Sequence, residues 1–131
     1  LRIAFFEFTQ GSSAGDATST ATLVKLPAGK VRLILPLSYI GASALGSSRT
    51  MDLGWQAYVN DAGTTVAADP NGLDDGIDVS SATTSTPGGT VGTHETVLFS
   101  SQAGVVIDAQ INDGTLPSGA TIMGYFIYTI D

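Results

Sequence analysis

The stretch KVRLILPLSYI, residues 30–40, is entered through the turn Leu26-Pro27-Ala28-Gly29. Successive side chains of a pleated strand point to opposite faces. Val31, Leu33, Leu35, Leu37 and Tyr39 therefore share one face, and Arg32, Ile34, Pro36, Ser38 and Ile40 share the other. The first set is apolar or aromatic throughout and is expected to lie against a core. The second is mixed, as on a face partly open to water or to a partner. Nothing in this strand has the chemistry of an active site.

The other segments follow the same logic. Residues 1–8, LRIAFFEF, carry apolar groups on both faces and read as a strand buried on both sides or closed against a neighbouring subunit. Residues 9–18 are small and polar, a surface loop, and 19–26 alternate well enough for a second strand. Residues 41–48 have no period and read as a loop. Alternation resumes over 49–59, with Met51, Leu53, Trp55, Ala57 and Val59 inward and Thr50, Asp52, Gly54, Gln56 and Tyr58 outward. Asn60-Asp61-Ala62-Gly63 is hairpin chemistry leading to a short strand at 64–68.

Residues 69–78, DPNGLDDGID, read as one short helical turn near 69–76, with Asp69 as its cap and Pro70 at its first position. Residues 79–92 run through Ser, Thr, Gly and Pro without a period and are expected as an exposed loop or arm. Strands then follow at 94–100, 105–111 and 120–130. The last is preceded by Leu116-Pro117-Ser118-Gly119, an echo of the first turn. It marks either a weak internal repeat or the recurrence of a favourable turn. Seven or eight short strands with this punctuation make a single all-β domain over residues 1–131, an antiparallel β-sandwich of jelly-roll type. Its expected core contains Val31, Leu33, Leu35, Leu37, Leu53, Trp55, Ile122, Phe126 and Tyr128.

Of the 131 residues 43% are hydrophobic and only 13% charged, about half the usual charged share of about 25%. That composition argues against disorder and suits surfaces meant to be covered. The net charge of −7 is unevenly spread. All five basic residues, against Glu7 and Asp16, lie in the first 49 positions and leave that part at +3; the remainder, with ten acids and no base, stands at −10. An acidic domain repels nucleic acid and anionic lipid, so neither is expected as a partner. There is no cysteine, hence no disulfide and no thiolate metal site. No apolar run approaches the roughly 20 residues that cross a bilayer, and no signal-peptide pattern is read at the start.

Candidate sites are sparse. Asp69, Asn71, Asp74, Asp75 and Asp78 form the one dense set of hard oxygen ligands, weak candidates for calcium. Leu73 falls where an EF-hand loop needs an oxygen and no Glu closes the loop, so a capped, solvated turn is the simpler reading. His94 is the single histidine, and no G-x-S-x-G elbow accompanies it. Residues 87–92 are glycine-rich without the Lys-Ser/Thr ending of a phosphate loop. Glu7, Asp52, Glu95 and Asp108 sit on expected strands, but nothing in the sequence pairs them for glycoside hydrolysis. Trp55, Tyr58, Tyr125 and Tyr128 offer a stacking platform for a sugar, although Trp55 shares the inward phase of Met51 and Leu53. The expectation is that the chain is not an enzyme and holds no cofactor.

The pieces VKLPAGKVRLILPLSYI (24–40), RTMDLGWQAYVNDAGTTVAADPNGLDDGIDVS (49–80) and LPSGATIMGYFIYTID (116–131) resemble small structural proteins of tailed bacteriophages, of the head decoration or cement type. The resemblance covers about half of the chain, and its motifs are structural rather than chemical. It implies a virion protein on the outside of the phage head, with the major capsid protein as partner. It also implies self-association, most simply as a trimer. Leu1, Ile3, Phe5, Phe6 and Phe8 of the first strand, the loop at 79–92, and a basic edge of Lys25, Lys30 and Arg32 are the expected interface. The alternative is a carbohydrate- or receptor-binding sandwich module, as in a phage tail or fibre.

Overall fold

A computed structural model describes residues 1–15, 19–88 and 96–131. Eleven strands and no helix occur among them: β1 (Arg2–Thr9), β2 (Thr20–Leu26), β3 (Gly29–Ala42), β4 (Thr50–Trp55), β5 (Tyr58–Val59), β6 (Thr65–Val66), β7 (Asp69–Asp78), β8 (Thr83–Ser85), β9 (Thr96–Ser101), β10 (Val105–Asn112) and β11 (Thr121–Ile130). β5, β6 and β8 are only two or three residues long, so the eight longer strands match the expected number. One sheet runs β1-β11-β3-β8, with β9 also paired to β3; a second runs β2-β10-β4-β7. β5 and β6 form a separate hairpin. Every pairing is antiparallel. The result is an antiparallel sandwich.

The two Leu-Pro-x-Gly turns have equivalent places in it. Each carries the chain from the four-stranded sheet to the five-stranded one, β2 to β3 and β10 to β11; β2 and β10 are neighbours in the first sheet, as β3 and β11 are in the second. Each buries its leucine, Leu26 and Leu116. Each sets its glycine in the left-handed region, Gly29 at φ 99° and Gly119 at φ 71°, where a Cβ would be strained.

The inner layer is one apolar cluster that draws on both sheets. Val31, Leu33, Leu35, Leu53, Ile122 and Phe126 are buried as expected. Trp55 and Tyr128 are half-buried and pack against the cluster. Leu37 departs from expectation: it is 53% exposed, whereas Ser38 and Ile40 are buried. The reason is a bulge. Tyr39 pairs with Tyr125 and Ile34 with Ile127, so Leu35 to Ser38 lie opposite Phe126 alone. Ile34 and Tyr39 both face outward but differ by an odd step in numbering, so the inward set switches from odd to even numbers. Pro36, which has no N–H for a ladder, sits inside this bulge. Ser38 closes it, its hydroxyl donating to the Ile34 carbonyl at 2.9 Å and accepting the Ile127 N–H at 3.0 Å.

The helical turn expected near 69–76 is instead β7, an edge strand on β4. A short polar helix bears a nucleation cost that local bonds do not offset, whereas β4 offers a ladder and a place to bury Leu73, Ile77 and Val79. Gly54 permits the approach, since a Cβ there would lie 1.9 Å from the Asp69 carbonyl oxygen. Pro70 is tolerated because β7 is an edge. Residues 79–88 are no free arm either. Val79 is buried, β8 pairs with Ile40, Gly41 and Ala42 of β3, and Gly88 donates its N–H to Asp74 at 2.9 Å. The rest of the expected arm, 89–92, and the start of the strand at 94 lie outside the described residues, as do His94 and Glu95.

Candidate functional surface

The two outer faces of the sandwich differ in chemistry. On the four-stranded sheet, Ile107, Ala109 and Ile111 point inward and are buried, so their neighbours point to solvent. The registers line up Thr22 with Asp108 and Gly54, Thr20 with Gln110 and Asp52, and Asn112 with Thr50. This face is polar. It is held by side-chain bonds: Asp52 accepts the Gly76 N–H at 2.9 Å and Asp108 accepts from the Gln56 amide at 2.9 Å.

On the five-stranded sheet, the outward residues form four cross-strand rows. Glu7, Met123, Gly41 and Thr84 make one, and Phe5, Tyr125 and Tyr39 the next. Ile3, Ile127, Ile34 and Thr96 follow, then Thr129, Arg32 and Leu98. Phe5 is 73% exposed, Ile3 51%, Leu98 45% and Met123 44%. The Phe5 ring meets Tyr125 edge-on at 5.9 Å, and Tyr125 stacks on Tyr39 at 5.7 Å, distances typical of favourable aromatic pairs. Two open hollows of about 390 and 380 Å³ flank Tyr39 and Met123, one reaching Phe5 and Gly124, the other Gly41, Ser43 and Thr84. Among the described residues the charges on this face are mixed: Lys30 and Arg32 stand against Glu7, Asp131 and, bonded to Ser100 at the edge, Asp61. Arg32 pairs with Asp131 at 2.9 Å, and its hydrogen bond holds the Asp131 carboxyl below the usual range.

The first strand splits between core and surface. Leu1, Ile3 and Phe5 are exposed, whereas Phe6 is buried against Phe126 at 5.2 Å and Phe8 packs on the core. Lys25, Lys30 and Arg32 do not form one edge. Lys30 and Arg32 are outward on β3, while Lys25 pairs with Val106 on the opposite outer face. The sugar platform is likewise divided. Trp55 and Tyr58 pack edge-on against Phe99 at 5.2 and 5.8 Å, Tyr128 faces the core, and only Tyr125 faces out.

The acidic run is strung along an extended strand rising roughly 3.3 Å per residue. Asp74 is buried, and Asp78 is turned onto Ser80, whose hydroxyl donates to it at 2.7 Å. That hydroxyl and the Ser80 N–H hold Asp78 below its ordinary value. Among the described residues no three His, Cys, Asp or Glu side chains gather in a metal-binding group. Of the candidate carboxylates, Glu7 lies on one outer face and Asp52 and Asp108 on the other. Leu37 and Tyr39, expected against the core, belong instead to the apolar outer face, and Met123 and Leu98 join it without having been singled out from the sequence. Pro36 within a strand was the available signal, since it marks a bulge and hence a change of phase.

No protein-family model matches the chain, and no curated protein does. Two solved structures align over 99% of it. A chain from the structure of infectious bursal disease virus, Gx strain, aligns at a TM-score of 0.46 and 13% identity. One from the Gt strain aligns at 0.39 and 12%. This protein spans about a third of either chain, 32% and 31%. Neither likeness is close enough to assign a family.

Proposed function

We propose that this chain is a virion structural protein, a head decoration or cement protein of a tailed bacteriophage. It binds the outside of an assembled head through the major capsid protein, associates with itself as a trimer, and stiffens the shell without doing chemistry. One observation carries the reading beyond the resemblance of residues 24–40, 49–80 and 116–131. The protein is one-sided, with a polar outer sheet face and an apolar, aromatic one that water does not suit. Such a surface belongs to a subunit that works when covered. A subunit bridging capsid neighbours binds the assembled shell and not its separated parts, so its binding energy adds to shell stability by mass action. Several copies per oligomer raise avidity by about 10²–10⁴ where geometry lets them engage together.

A second reading is favoured by the Phe5, Tyr125 and Tyr39 strip, which could stack sugar rings as a receptor-binding module does. Electron microscopy of the virion separates the two. Density for this protein over the head exterior supports the cement role. Density confined to the tail, with glycan binding lost in Tyr125→Ala, assigns it to receptor binding.

A further inference from the structure

We infer that the outer face of the five-stranded sheet is the surface by which copies of this chain join, so that the occupant of the Phe5–Tyr125–Tyr39 strip is a second copy. The inference deepens the reading above and rests on it only for the setting, because self-association does not require a phage head. Three observations carry it.

The first is area. Leu1, Ile3, Phe5, Leu37, Leu98 and Met123 keep between 44% and 83% of their surface exposed. At roughly 150–200 Å² for each large side chain, they present on the order of 600 Å² of apolar surface. Contiguous patches on monomers measure about 300–600 Å², and this total stands at their upper end, interrupted by Thr129 and Arg32 before Leu98. A stable interface takes roughly 800 Å² from each partner, so these apolar residues would supply most of it, with Thr84, Glu7 and Arg32 as a polar rim.

The second is polarity. Interfaces of transient partners are about as polar as ordinary surface, whereas those between permanent copies are more apolar. The rows through Phe5 and Ile3 contain no charged residue, which fits the permanent kind. The face also has relief for a partner to fill, since the exposed Phe5 stands beside hollows at Gly41 and Gly124.

The third is charge. A chain at −7 repels its copies, yet among the described residues this face carries little of that charge, with Lys30 and Arg32 against Glu7, Asp131 and, at its edge on Ser100, Asp61. Asp52, Asp69, Asp74, Asp75, Asp78 and Asp108 all lie on strands of the other sheet. Two copies joined through the five-stranded sheet keep that acidic load apart.

Sedimentation of the full chain at micromolar concentration tests the inference. The wild type is expected as a closed oligomer, Phe5→Glu to weaken self-association by about 30-fold or more, and Thr22→Glu, on the opposite face, to leave it unchanged. Hydrogen exchange on the wild type guards against a misfolded variant: protection of residues 3–7 and 123–125 should rise with protein concentration. A wild-type monomer, or an oligomer indifferent to Phe5→Glu whose exchange at those residues ignores concentration, overturns the assignment. A monomer that still binds phage heads would defeat this inference and leave the cement role standing. An oligomer that ignores heads would do the reverse.

Discussion

The Ser38 hydroxyl accepts the main-chain N–H of Ile127 at 3.0 Å, at the point where β3 exchanges its inward and outward faces. The same hydroxyl donates to Ile34, so a buried serine replaces the ladder bonds that the bulge removes. Without it the Ile127 amide has no partner in a site closed to water. Ser38→Ala is expected to cost about 1–3 kcal/mol, the usual penalty for orphaning a buried donor. Urea unfolding followed by fluorescence measures it; a loss under about 0.5 kcal/mol, the range of ordinary surface changes, would show that the bulge does not depend on this bond.

Leu35 and Leu37 share a sequence phase but not an environment. Leu35→Ala should cost about 2–5 kcal/mol as a buried truncation. Leu37→Ala should stay within about 0.5 kcal/mol under conditions that keep the protein monomeric. Equal losses in the two unfolding curves would mean that the strand keeps one phase throughout.

That pair also marks how far the sequence could be read. Alternation alone placed Val31, Leu33 and Leu35, because each follows the turn at Gly29 without interruption. It failed beyond Pro36, since a bulge shifts register through backbone geometry that period-two counting does not see. The run at 69–78 failed for a related reason. Its Asp, Pro and Gly are local helix-start and turn signals, and the ladder along β4 that outweighs them comes from residues far away in sequence. The exposure of the first strand was half legible: Ile3 and Phe5 are outward, but the burial of Phe6 and Phe8 depends on which side the other sheet lies.

Gly54 of β4 abuts β7, with the Asp69 carbonyl in the space a Cβ would take. Gly54→Ala should destabilise by about 1–3 kcal/mol, the range for overpacking, and should raise hydrogen exchange along residues 69–78 first. Unchanged exchange there would contradict the assignment of this run as a strand.

Acid should weaken the fold through two carboxylates. Asp131 and Asp78 are held below their ordinary values, by Arg32 and by Ser80 respectively. A depressed folded-state pKa gives stability that is present above the unfolded value, about 3.9, and is lost as pH falls through the lower folded value. Thermal melts below about pH 4 should therefore show a decline, and Arg32→Gln should remove the part due to Asp131. A variant whose loss on acidification equals that of the wild type would contradict the pairing.

Heat-triggered DNA release from phage heads with and without this protein tests the central claim most directly. The cement role requires release at a lower temperature from particles lacking the protein and recovery when purified protein is added back. Equal release temperatures in the two preparations, with the protein present on the control heads, would contradict it.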